Sequence, residues 1–145
     1  MPKRGNQLSE PISVKSAFQQ ASSRQGREFE DTACFYLKSE GWHIVARRYR
    51  INGEEIDIVA TDPDGDEWWI ECKGSYEGKV PGGRRIDTIK KAVAVAWSLS
   101  HVRDRPYYML FLSHYPYRGT YGDRMLQMAL DDGLFTTIRS LVDEQ

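Results

Sequence analysis

Glu55-Ile56-Asp57-Ile58-Val59-Ala60-Thr61 and Glu67-Trp68-Trp69-Ile70-Glu71-Cys72-Lys73 flank the turn Asp62-Pro63-Asp64-Gly65-Asp66. The two runs are rich in β-branched and aromatic residues, and the segment between them is built of turn formers, so the stretch reads as a hairpin. A symmetric antiparallel hairpin centred on Asp64 pairs residues whose numbers sum to 128, which sets Asp57 opposite Glu71. Directly opposed Cβ atoms lie roughly 4.5–5.5 Å apart, and like charges in that position are destabilising. Glu71 and Lys73 are two apart and share a face. A hard divalent ion between the two carboxylates removes the repulsion, and Lys73 can orient a water or steady a phosphate oxygen. Ile56, Ile58, Trp69 and Ile70 around them imply a partly buried site. Taken alone, the pattern also fits a wet strand pair in which Lys73 neutralises one acid.

The elements on either side supply context. Upstream, Phe29, Ala33, Tyr36 and Leu37 recur at helical spacing over Arg24–Glu40, with Ser22 or Ser23 as the cap and Gly41-Trp42 as the stop. Val14–Gln20 has room for a turn or two of helix, and residues 1–13 read as a loose tail, so a flexible extension is expected over 1–23 and one domain over 24–145. Trp42–Arg50 reads as the first strand, joined to the hairpin through Ile51-Asn52-Gly53-Glu54. Downstream, residues 74–83 hold four glycines and a proline and read as a mobile loop. Thr88–Ser100 follows as a helix capped by Asp87, with Ile89, Val93, Ala96 and Trp97 on its apolar face. Tyr107–Leu112 is a continuous apolar run, as in a strand buried on both faces, and Asp123–Asp132 is a further helix. The last twelve residues fit strand or helix equally. The order is α-β-β-β-α-β with a further tail: an α/β domain around a mixed sheet.

The 145 residues carry 40% apolar and 28% charged side chains, ordinary for one globular domain. Two cysteines are too few for a disulfide framework and suit reduced thiols in a cytoplasmic protein. No apolar run approaches 18 residues, so no membrane span is expected, and Lys3 and Arg4 lack the apolar segment of a secretory signal. The formal net charge of −1 excludes nucleic-acid binding by bulk charge alone. The charge is uneven, however: +2 over residues 1–23, −5 over 24–73, +4 over 74–106 and −2 over 107–145. An acidic half followed by a basic stretch suits a cation held beside a polyanion. Charges decorating solvated faces would give the same counts.

Gly26-Arg27-Glu28-x-Glu30, Gly41-Trp42-x-Ile44, Arg47-Arg48-Tyr49-Arg50, Gly53-Glu54-Glu55-Ile56-Asp57-Ile58-Val59-Ala60 and Ile70-Glu71-Cys72-Lys73-Gly74 together resemble the PD-(D/E)xK nuclease superfamily. They are especially similar to a small bacterial predicted-endonuclease family (UPF0102-like) related to archaeal Holliday junction resolvases. The resemblance covers about residues 24–97. It implies a restriction-endonuclease-like αβββαβ core and Mg²⁺-dependent cleavage of DNA, with Mn²⁺ as a substitute. Carried over residue by residue, Asp57 and Glu71 become metal ligands, Lys73 the catalytic lysine, and Glu30 the additional acid from the first helix. Two departures stand out: Ile56 replaces the proline of the superfamily name, and an extra acid, Glu54 or Glu55, sits in the turn.

Lys79, Arg84 and Arg85 of the glycine-rich loop, Lys90 on the next helix, and Arg48 beside Tyr49 are candidate nucleic-acid contacts. Ordinary surface charge is the competing account of each. His43, His101 and His114 are too scattered to form a metal cluster. Cys72 points away from Glu71 and reads as core, as does Trp68, with Trp69 as a platform. The favoured function is thus a metal-dependent DNA nuclease, and the competing one a catalytically silent nucleic-acid-binding module of the same fold. A junction resolvase acting as a homodimer differs in substrate only.

Overall fold

The computed structural model describes residues 14–74 and 85–142, with side chains from residue 27 onward. Helix α1 (Val14–Ser39) leads into strands β1 (His43–Ile51), β2 (Glu54–Thr61) and β3 (Glu67–Lys73). Helix α2 (Ile86–Leu99), strand β4 (Tyr107–His114), helix α3 (Tyr121–Asp131) and strand β5 (Thr137–Val142) follow. The αβββαβ order is therefore as expected. The strands form one mixed sheet in sequential order, antiparallel from β1 to β3 and parallel from β3 to β5.

Turn chemistry accounts for the antiparallel half. Asn52 and Gly53 both have positive φ, 51° and 81°, the two-residue geometry whose twist matches that of the flanking strands. In the second turn the Asp62 carboxylate accepts from the backbone N–H groups of Asp64 and Asp66 and from the Trp68 indole. That closure sets the register Ile58–Ile70, Val59–Trp69, Ala60–Trp68 and Thr61–Glu67, in which every pair sums to 128 as the hairpin symmetry required. Parallel pairing, by contrast, needs a crossover, and α2 and α3 lie on the two connections that provide it.

Each face of the sheet carries its own core. On one, Phe29, Ala33 and Leu37 of α1 pack on Ile58, Ile70, Met109 and Phe111, and Phe29 meets Phe111 edge-on. On the other, Ile89, Ala92, Ala96 and Leu99 of α2 with Leu126 and Ala129 of α3 cover Val59, Trp69, Leu110 and Leu112. β4 supplies both cores, which is why its sequence is continuously apolar.

Several expectations need correction. α1 is one helix of 26 residues, so neither Ser22 nor Ser23 caps it. Residues 1–13 and 75–84 lie outside the described residues. α2 starts two residues early; its N-cap is Arg85, with no side-chain cap bond, and Asp87 sits in the first turn. Trp97 is 60% exposed, because Leu99 and Ala92 complete the buried stripe instead. The tryptophan roles are reversed: Trp69 is buried against the α2 side, whereas Trp68 is half-buried between Trp42 and Tyr107. The undecided C-terminal segment forms β5, and Arg139 on it ion-pairs with Glu40 just past α1.

Candidate active site

Asp57, Glu71 and Lys73 come together where the β2–β3 ladder ends. The last backbone pair is Ile58–Ile70. One position further, Asp57 Oδ2 accepts the backbone N–H of Cys72 at 2.8 Å. The side chain thus takes the place of the next ladder acceptor. Lys73 Nζ lies 3.3 Å from Glu71 Oε2. Glu71 is only 6% exposed, and its Oε1 is buried without a hydrogen-bond partner. These groups line a cleft of about 590 Å³ with Glu30 of α1, Arg48 of β1 and Val95 of α2, so the cleft opens between the helices of the two faces.

An unsatisfied buried carboxylate oxygen is costly, and burial raises a carboxylate's pKa. Burial pushes Asp57 up to about 6, with the Glu30 charge adding to the rise and the Cys72 N–H opposing it. Glu71 is pushed up to about 8, by burial first and by Asp57 second, against the pull of Lys73. Cys72 packs on the α1 side, and burial together with the neighbouring carboxylates drives its thiol upward. It is therefore a protonated, half-buried residue between the α1-side core and the cleft.

Glu30 is 5% exposed and already engaged. Its Oε1 accepts from Arg47 Nη2 at 2.7 Å and from Arg48 Nη2 at 3.0 Å, with Arg48 Nε at 3.3 Å. Arg47 also reaches Asp31 at 2.8 Å. Successive strand residues normally face opposite sides. Both arginines reach one carboxylate because Arg48 adopts a left-handed backbone, φ 58°, between the regular pairs Arg47–Ile58 and Tyr49–Ile56.

The donor set suits a hard divalent ion: two carboxylates, one with an orphaned oxygen, and no ionised thiol. Mg²⁺ is commonly held by one or two carboxylates while keeping several waters. Among the described residues, no group of three or more His, Cys, Asp and Glu side chains converges to hold a metal.

The basic candidates are dispersed. Arg85 lies at the start of α2, 3.7 Å from Asp87, and Lys90 sits 6.0 Å from the Tyr121 ring centroid; neither lines the cleft. Lys79 and Arg84 lie outside the described residues. Arg27, one helical turn before Glu30, does line it, and its i, i+3 spacing was the signal that could have found it.

Gly74 follows Lys73, the last residue of β3 paired with β4. A Cβ there would overlap the Ser113 hydroxyl and fall 2.8 Å from the Ser113 backbone nitrogen, and a backbone atom cannot swing aside. Gly74→Ala should cost about 1–3 kcal/mol, the range for an overpacked core, read as a lowered midpoint in urea unfolding. An unchanged midpoint would show that the strand ends can part freely.

The chain's relatives bear on this cleft. Residues 29–97 match the uncharacterised protein family UPF0102. That segment holds Glu30, both arginines, Asp57, Glu71 and Lys73. A UPF0102 protein of Aquifex aeolicus is 47% identical over 51 residues, covering 35% of this chain and 48% of that protein. One from Thermotoga petrophila is 46% identical over 65 residues, covering 44% and 57%. The chain thus spans about half the length of the UPF0102 relatives it matches. Among solved structures, a repair endonuclease from Pyrococcus abyssi aligns with a TM-score of 0.45 at 15% identity, covering 92% of this chain and 49% of that one. Among the described residues, no helix is long and apolar enough to cross a membrane.

Proposed function

We propose that the UPF0102 segment forms the active site of a divalent-metal-dependent DNA nuclease. The observation that carries this reading is the buried Glu71, one carboxylate oxygen unpartnered, beside Asp57 and Lys73 in an open cleft. Asp57 and Glu71 are the ligands for Mg²⁺ or Mn²⁺. An ion there supplies a Lewis acid for the scissile phosphate and lowers the pKa of an attacking water. Lys73 points its ammonium along the same face and donates to a phosphate oxygen, where negative charge grows in the transition state. The Cys72 N–H keeps Asp57 aimed across the hairpin. Lys90 of α2 and Arg85 at its N-cap offer phosphate contacts outside the cleft.

The test is incubation of the purified chain with linear, single-stranded and branched DNA in Mg²⁺, in Mn²⁺ and in EDTA. Cleavage should appear with either ion and vanish in EDTA and in Asp57→Asn. Binding of DNA with no cleavage of any substrate would instead favour the silent binding module.

A further inference from the structure

We infer that Arg48 is a positioning residue that holds Glu30 out of the ion site, so that a divalent ion meets two protein carboxylates, Asp57 and Glu71, rather than three. The inference rests on the proposed ion site, and three observations carry it. First, Arg48 presents Nε and Nη2 to a single oxygen of Glu30, at 3.3 and 3.0 Å, a forked grip that a lysine cannot reproduce. Secondly, it does so only because its backbone is left-handed, a conformation uncommon outside glycine and associated with functional sites. With ordinary strand geometry its side chain would point to the sheet face opposite to Arg47, away from Glu30. Thirdly, Glu30 lines the cleft with Asp57 and Glu71, yet the three do not converge as a metal-binding group.

Charge counting shows why Arg48 rather than Arg47 does this. Arg47 is shared between Glu30 and Asp31, so two guanidinium groups balance two carboxylates. Removing Arg48 leaves one guanidinium for both acids and restores a carboxylate charge at the cleft wall. Glu30 is then able to turn toward the ion.

The experiment is calorimetric titration of the EDTA-stripped full chain with Mn²⁺, in a cycle of four proteins: wild type, Arg48→Gly, Glu30→Gln and the double variant. Glycine tolerates the left-handed backbone, so the first substitution removes the guanidinium without adding strain; Arg48→Asn, also tolerant, replaces it if that chain does not fold. With Arg48 present, Glu30→Gln should change the Mn²⁺ dissociation constant by less than about twofold. With Arg48 absent, the same change should weaken binding about tenfold, the non-additivity expected of coupled residues. A structural role for Arg48 would shift melting temperatures without producing this non-additivity. Equal effects of Glu30→Gln in both backgrounds, small or large, would overturn the inference while leaving the ion site standing. No Mn²⁺ binding by wild type would remove the ion site, and the inference with it.

Discussion

Replacing Lys73 with alanine should lower DNA cleavage by about 10²–10³-fold, the usual cost of losing one preorganised donor to a developing negative charge. Each factor of ten corresponds to about 1.4 kcal/mol of transition-state stabilisation. The divalent-dependent rise in melting temperature should survive, because Lys73 stands beside the proposed ligand Glu71, 3.3 Å from its Oε2, without being a ligand. Lys73→Met, which keeps the apolar stem but not the charge, should behave alike. The measurement is single-turnover cleavage alongside thermal melts with and without Mg²⁺. Unimpaired cleavage in both variants would remove the catalytic assignment. A chain that no longer folds would show the lysine to be a structural counter-charge for Glu71.

Asp57→Asn should abolish cleavage and the divalent-dependent thermal shift, yet make the metal-free protein more stable above pH 6. Both carboxyl groups titrate above the ordinary carboxylate range in the folded state, whereas in the unfolded chain they titrate near 4. Between about pH 4 and 8 this pair therefore holds more protons in the folded chain than in the unfolded one, and its contribution to stability falls as pH rises through that window. A ligand that binds only the folded state opposes this, by about 2.7 kcal/mol at a hundred times its dissociation constant. The carboxamide oxygen that the substitution introduces can still accept the Cys72 N–H, so the hairpin keeps its closing bond while one buried charge is lost. At pH 8 without metal the gain should be about 1–3 kcal/mol, a tenfold change in proton affinity being worth about 1.4 kcal/mol. Denaturant melts at pH 5.5 and 8, in EDTA and in Mg²⁺, check both halves. A wild-type stability that does not fall with pH in EDTA would contradict the buried, mutually repelling pair.

The hairpin and its acids were legible in the sequence because their determinants are local. Asp62, Pro63 and Gly65 set the turn, the turn sets the register, and the register ends at Ile58–Ile70, which leaves Asp57 and Glu71 side by side at the mouth of the hairpin within one short stretch of chain. The double burial of β4 was legible for the same reason: a run from Tyr108 to Leu112 without a charged residue has no face to show to water, and of the expected run Tyr107 alone, at its start, is exposed. What the sequence could not decide is which face a residue turns when two cores compete for it. Trp68 and Trp69 are adjacent and alike, and their roles follow from Trp42 and Tyr107 lying on one side of the sheet and α2 on the other. Trp97 lies exposed because the position of α3 decides which stripe of α2 is covered. β5 became a strand only because β4 offered it a parallel partner. The surroundings of Glu30 are the clearest case. Its position on a helix was readable, but its two arginines come from 17 and 18 residues away, and alternation along β1 would send them to opposite faces. Only the packing of α1 on the sheet, with the left-handed turn of the backbone at Arg48, brings both guanidinium groups to one carboxylate.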